Sequence, residues 1–100
     1  MITYLEDDDL DSLIKDKKVV LDFYADWCMP CQMLGEVFEE AIKEDNSINV
    51  IKINVDKFPN ISRNYGVMSI PYLVLYNDNT IIKKSVGFLE KDELIYFINH

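Results

Sequence analysis

The spacing of hydrophobic positions changes along the chain, and each change marks an element. Ile2 to Leu5 reads as a short first strand. Leu10, Leu13 and Ile14 recur at helical spacing, which predicts a helix running to about Lys15 with Asp7 or Asp8 as its cap. Val19, Val20, Leu21, Asp22, Phe23, Tyr24 and Ala25 form an almost unbroken apolar run, the pattern of a central strand covered on both faces. Met33, Leu34, Val37, Phe38, Ala41 and Ile42 then return every three or four residues. Gln32, Glu36, Glu39, Glu40 and Lys43 fall opposite them, so a long amphipathic helix is expected from Cys31 to Glu44. Asn49 to Val55 alternates, with Ile51, Ile53 and Val55 one way and Val50, Lys52 and Asn54 the other. A strand, a helix and a strand in this order make a βαβ unit with parallel strands and a right-handed crossover.

The second half is built from shorter pieces. A short helix is expected over Ile61 to Tyr65, stopping at Gly66. Tyr72 to Tyr76 and Ile81 to Val86 read as a hairpin that turns through Asn77, Asp78 and Asn79, residues that tolerate positive φ. Glu90 to Asn99 closes the chain as a helix with Leu94, Ile95, Phe97 and Ile98 inward and no strong N-cap. The sum is an α/β arrangement, a mixed sheet flanked by helices. No repeat, low-complexity tract or Pro/Gly/Ser linker interrupts residues 1–100, so one domain is expected.

Charge narrows the partners. Ten basic residues against 18 acidic ones give a net charge of -8, which disfavours nucleic acid because its phosphates would be repelled. The N-terminal residues lack the basic and apolar regions of a signal peptide, and no apolar run approaches the roughly 20 residues that cross a bilayer. With an initiating methionine, this points to the cytoplasm and away from a membrane. In a reducing compartment, the two cysteines are expected to be catalytic or metal-binding rather than structural.

Those cysteines lie in Trp27-Cys28-Met29-Pro30-Cys31, where the central strand ends and the long helix begins. Open α/β sheets place their sites beyond the carboxyl ends of strands. A helix start offers free N–H groups and a partial positive charge, which favour thiolate over thiol. Pro30 suits the first helical turn, where a missing N–H costs nothing. Zinc is the main rival, but it wants four ligands, and the chain has no third cysteine and only His100 besides. A c-type haem needs histidine after the second cysteine, where Gln32 stands. A purely structural disulfide closing so short a loop removes little unfolded-state entropy.

The segment Asp22-Phe23-Tyr24-Ala25-Asp26-Trp27-Cys28-Met29-Pro30-Cys31 resembles the active-site segment of the thioredoxin family. The resemblance continues in Lys52-Ile53-Asn54-Val55-Asp56, Tyr65-Gly66-Val67, Ile70-Pro71 and Val86-Gly87 and covers nearly the whole chain. It implies the thioredoxin fold, a central mixed five-stranded sheet flanked by four helices, with the third strand beside the second and a closing antiparallel hairpin and helix. It also implies a protein-disulfide reductase acting as a monomer. Cys28 would be the exposed nucleophile, Cys31 the buried resolving thiol and Asp22 the buried acid behind the pair. Lys52 would neighbour that acid, and Pro71 would be a cis-proline facing the dithiol. Ile70 would pair its backbone with the substrate chain, and Trp27, Met29 and Gly87 would belong to the substrate surface. No cofactor would bind the chain itself; NADPH would act indirectly, through a flavin-containing thioredoxin reductase.

Several of these residues carry a physical reading of their own. A charge at Asp22, inside an apolar strand, is expensive unless partnered, and desolvation should raise its pKa. It reads either as an acid working with the cysteines or as a buried, hydrogen-bonded carboxylate. Lys52 breaks the apolar pattern of the next strand, which makes an Asp22–Lys52 contact plausible. Met29, Met68, Ile70 and Phe88 read either as an apolar patch for varied protein substrates or as scattered surface residues. The chain also departs from the family pattern. Met29 replaces glycine inside the motif and Gln32 a frequent lysine after it. Glu36 stands where a helix-kinking proline is usual, with Gly35 beside it allowing a milder bend. Tyr72 replaces threonine after the proline, and Asp78-Asn79 replaces a glycine-containing turn. Other readings of the same motif are an oxidase or isomerase-like relative, which often carries histidine between the cysteines, a binding or adaptor module on the same fold, and a metal carrier.

Overall fold

The computed structural model describes residues 1–100. Its centre is a strand whose two faces are both apolar. β2 (Lys18–Tyr24) turns Val19, Leu21 and Phe23 to one side of the sheet and Val20 to the other. Such a strand is stable only when helices cover both faces. β2 pairs in parallel with β3 (Val50–Asn54), which in turn pairs in parallel with β1 (Ile2–Tyr4). On its other edge β2 pairs antiparallel with β4 (Tyr72–Asn77), and β4 with β5 (Thr80–Val86), giving the order β1-β3-β2-β4-β5.

Four helices supply the cover. α1 (Leu10–Ile14) and α3 (Pro59–Asn64) belong to one layer, in which Leu10, Ile14 and Phe58 pack with Leu21, Phe23, Ile53 and Val74. α2 (Met29–Glu44) and α4 (Lys91–Asn99) form the other, in which Leu34, Phe38, Ala41, Leu94 and Phe97 pack with Val20, Val50, Leu73 and Leu75. The expected mixed five-stranded sheet with four helices is therefore present, with the third strand beside the second.

Four local differences have physical causes. The cap of α1 is Asp9, whose side chain accepts from the Ser12 N–H, while Asp7 holds the Asp9 N–H just ahead of it. α2 starts at Met29, earlier than the apolar periodicity marks, because its first turn is made of Met29, Pro30 and the cysteines. Met33 stands 47% exposed rather than inward, since the buried stripe of α2 runs through Cys31, Leu34, Phe38 and Ala41. α4 does have an N-terminal device: the Glu93 carboxylate accepts from the Glu90 N–H at 2.9 Å, supplying a partner from the third helical position.

The turns follow their residues. Asp78 and Asn79 both adopt positive φ (53° and 66°) and make the two-residue turn from β4 to β5. The Asn79 side chain then accepts from the Asp16 N–H and donates to the Asp16 carboxylate, tying this turn to the one before β2. α2 is continuous from end to end, with no break at Gly35.

Phe38 is buried on the inner face of α2, in the layer that packs α2 and α4 on the sheet. Replacing it with alanine should cost about 3–5 kcal/mol, the range for a fully buried aromatic ring, in urea unfolding followed by circular dichroism. A loss below about 1 kcal/mol would mean that α2 is held to the sheet by something other than this packing.

Candidate active site

β2 delivers the chain to the carboxyl edge of the sheet, and within four residues α2 begins. Cys28 is the N-cap of that helix. Its Sγ accepts from the Cys31 N–H at 3.3 Å, and its carbonyl accepts from the Gln32 N–H at 3.1 Å. A side-chain oxygen normally takes such an orphan N–H at a helix start; here a sulfur does. In the reduced state the same N–H and the positive end of the helix favour negative charge on this sulfur. Cys28 and Cys31 are joined as a disulfide, and no other cysteine is present.

The two sulfurs meet different surroundings. Cys28 lines an apolar surface groove of about 570 Å³, together with Trp27, Met29, Val67, Met68 and Ile70. It is only 5% exposed, so the expected exposed nucleophile is reached along the floor of this groove rather than standing free in solvent. Its neighbours are open: Trp27 is 71% exposed, and its indole Nε1 donates to the Asp56 carboxylate at 2.9 Å. Cys31 opens instead onto a smaller cavity of about 250 Å³ on another side, shared with Tyr4, Tyr24, Asp26, Gln32 and Lys52. Gln32 closes one side of it by donating from Nε2 to the Asp26 carbonyl.

Ile70 and Pro71 approach from the segment before β4. Their peptide bond is cis. The Ile70 carbonyl oxygen lies 4.0 Å from Cys28 Sγ, and neither the N–H nor the carbonyl of Ile70 makes a backbone hydrogen bond within the chain. Pro71 is buried; its carbonyl accepts from the Gly87 N–H at 2.8 Å, which ties the end of β5 to the cis-proline. Gly87 and Phe88 do not line the groove, whereas Met29, Met68 and Ile70 do. Pro30 lies in the first turn of α2, also on the groove wall.

Asp22 points to the α2 side of the sheet, beside Lys52 in the register of β2 and β3 and beside Leu73 across β4. It has no solvent exposure, and neither carboxylate oxygen has a hydrogen-bond partner. No protein group donates a hydrogen bond to it. Burial pushes its pKa up to about 7, and the Lys52 ammonium pulls the other way. Lys52 nonetheless forms no ion pair with it; the chain's one ion pair joins Lys91 to Glu44. Residues to which the sequence pattern gave no site role also belong here: Tyr4, Tyr24 and Gly35 around Lys52, Asp56 beside Trp27, and Val55, Ser62 and Val67 in the groove. No cluster of three or more His, Cys, Asp or Glu side chains is placed to hold a metal ion, and no helix is long and apolar enough to cross a membrane.

Comparison with known proteins agrees with this geometry. The family model described as Thioredoxin matches residues 1–100. A thioredoxin of Mycoplasmoides gallisepticum is 41% identical over 87 residues, covering 86% of this chain and 87% of that one. A thioredoxin of Chlamydia caviae is 38% identical over 99% of this chain and 97% of its own length. Among solved structures, a mutant thioredoxin from Halobacterium salinarum superposes with a TM-score of 0.87 at 38% identity, over 97% of this chain and 87% of that one.

The raised pKa of Asp22 makes stability depend on pH. Between its ordinary value of 3.8 and its folded value of about 7, the native state keeps a proton that the unfolded chain has lost. Below that window the carboxyl is protonated in both states and carries no penalty; stability falls as pH rises through the window and levels off above it. Asp22→Asn should therefore be more stable than the parent at pH 8, by up to about 4 kcal/mol for roughly three pKa units, and the gain should fade toward pH 4. Urea unfolding of both proteins at the two pH values measures this. A gain that does not change with pH would mean the buried carboxyl takes up no proton on folding.

Proposed function

The chain belongs to the thioredoxin family and is a thiol–disulfide oxidoreductase, a protein-disulfide reductase, and on that premise we propose how its residues divide the reaction. One observation carries the division: the two residues of a single disulfide line different concavities, Cys28 the apolar groove and Cys31 a smaller cavity shared with Asp26, Gln32 and Lys52. A protein substrate meets Cys28. A proton leaves from Cys31.

In the reduced protein, the Cys28 thiolate attacks one sulfur of a substrate disulfide. A mixed disulfide forms, and the first substrate thiolate departs. Cys31 then gives its proton to the Asp22 carboxylate, directly or through water. Its thiolate attacks Cys28 Sγ, closing the Cys28–Cys31 disulfide and releasing the second substrate thiolate. Two electrons pass from the protein dithiol to the substrate. Asp22 suits the proton step because its pKa of about 7 leaves both forms populated near neutrality.

The groove positions the substrate. Trp27, Met29, Met68 and Ile70 offer apolar and adaptable contacts to varied chains. The unpaired N–H and carbonyl of Ile70 offer two backbone hydrogen bonds to an extended peptide, beside the sulfur it must approach. Cis-Pro71 presents no N–H there, and its tie to Gly87 fixes the height of the Ile70 carbonyl over Cys28. Gly87 thus acts on the groove through Pro71. Residues 1–100 carry out the reaction as one domain with no bound cofactor. Regeneration needs an external two-electron donor, and the family likeness supports an NADPH-dependent thioredoxin reductase in that role. The compartment is a reducing one, the cytoplasm, since net flow toward thiols requires such a donor.

Insulin reduction coupled to a thioredoxin reductase tests the assignment. Cys28→Ser should abolish turnover, and survival of activity would remove Cys28 as nucleophile. Cys31→Ser should accumulate a mixed disulfide through Cys28, detectable by mass; its absence would remove the resolving role. Asp22→Ala should slow release from the mixed disulfide by roughly 10- to 100-fold at neutral pH and erase the inflection near pH 7. An unchanged rate and profile would leave Asp22 outside the proton step.

A further inference from the structure

Lys52 neighbours Asp22 in the parallel register of β2 and β3 but does not bond to it, and both Asp22 oxygens remain without a partner. The ammonium is held by other groups. Lys52 Nζ lies 4.7 Å from the centroid of the Tyr24 ring and 5.5 Å from that of Tyr4. These rings meet edge to face with centroids 6.3 Å apart, so they form one wall. Gly35 faces the ammonium from α2: a Cβ built there would sit 3.2 Å from Nζ. Glycine weakens a helix interior relative to alanine, and Gly35 has ordinary helical geometry, so it is the missing side chain that matters here.

We propose that Tyr4, Tyr24 and the gap at Gly35 form a cradle that positions the Lys52 ammonium beside Asp22 without bonding to it, and so sets the proton affinity of that carboxyl. Aromatic faces attract a cation without neutralising it. An ammonium bonded to Asp22 would hold the carboxylate ionised and spoil it as a proton carrier. An ammonium free in solvent would leave the burial of Asp22 unopposed. The cradle holds the charge between these limits. The titratable groups around it are Tyr4 from β1, Asp22 and Tyr24 from β2, Asp26 after β2 and Cys31 from α2. Burial and the neighbouring Asp26, Tyr4 and Asp22 raise the pKa of Tyr24, against a lowering hydrogen bond with Asn54, so its ring stays neutral. The three cradle residues are positioning residues, since they act through Lys52.

This inference rests on the reading of Asp22 as the proton carrier only for its consequence, because the deciding measurement follows the Asp22 proton and not turnover. In the oxidised full-length protein, the side-chain carboxyl carbon of labelled aspartates is titrated by NMR. Tyr4→Leu and Tyr24→Leu should each raise the proton affinity of Asp22 by about two- to fivefold, because the ammonium is released toward solvent. Tyr24→Phe should restore the parent value. Lys52→Met should raise the affinity further, and Tyr4→Leu should then add nothing in that background. Tyr4 is 55% exposed, so the Tyr4→Leu arm stands even if Tyr24→Leu does not fold. An affinity that is unchanged or lowered in Tyr4→Leu overturns the proposal, as does an equal shift with Lys52 already removed. If Asp22→Ala left substrate release unaffected while these shifts appeared, the proton-carrier reading would fail and the cradle would stand.

Discussion

A carboxyl group held inside a sheet without a partner is the constraint on which the rest of this site depends. Asp22 shares its face of the sheet with Val20, Leu73 and Lys52, and with Tyr24 two residues on in β2. Burying an unbonded polar group there costs stability, and the fold tolerates it because the surrounding core is extensive. Burial then does chemical work. It moves the affinity of the carboxyl for protons into the neutral range, well above that of an aspartate in water.

The second organising feature is the turn from β2 into α2. It carries the chain from the deepest strand to the surface between Tyr24 and Met29 and leaves Cys28 where a helix cap belongs. Sheet and helix together hold the sulfur pair between two compartments of different polarity. The cis-proline segment approaches from β4, a strand that pairs with β2, so groove and disulfide are registered on the same rigid strand pair. Sites built on regular elements in this way hold their geometry better than sites built on loops alone.

Most of this was legible in the chain. The doubly apolar run of β2, the alternation of β3 and the Asp78-Asn79 turn each have a local physical cause, and each appears where that cause puts it. Less legible was whatever depends on contacts distant in sequence. Met33 fits the apolar stripe of α2, yet that stripe packs through Leu34, Phe38 and Ala41 and leaves Met33 at its exposed edge. Gly35 suggests a bend, but its role emerges only when a lysine from β3 is laid against it. Lys52 suggests a contact with Asp22, and the register makes them neighbours, but the two aromatic rings beside its ammonium come from β1 and β2 and are not marked by any spacing. Cys28 suggests an exposed thiol, and its shielding comes from flanking segments that no spacing rule brings near. The start of α4 is harder to read because Glu90 is not a usual N-cap residue, although Glu93 is the type a capping box carries at its position.

Trp27 has a further consequence. It is the only indole in the chain, it adjoins Cys28 and it is steadied by Asp56. It is also 71% exposed on the wall of the groove, so a chain docked over Cys28 covers the one indole present, and the surroundings of that ring change with occupancy of the groove while the core stays as it was.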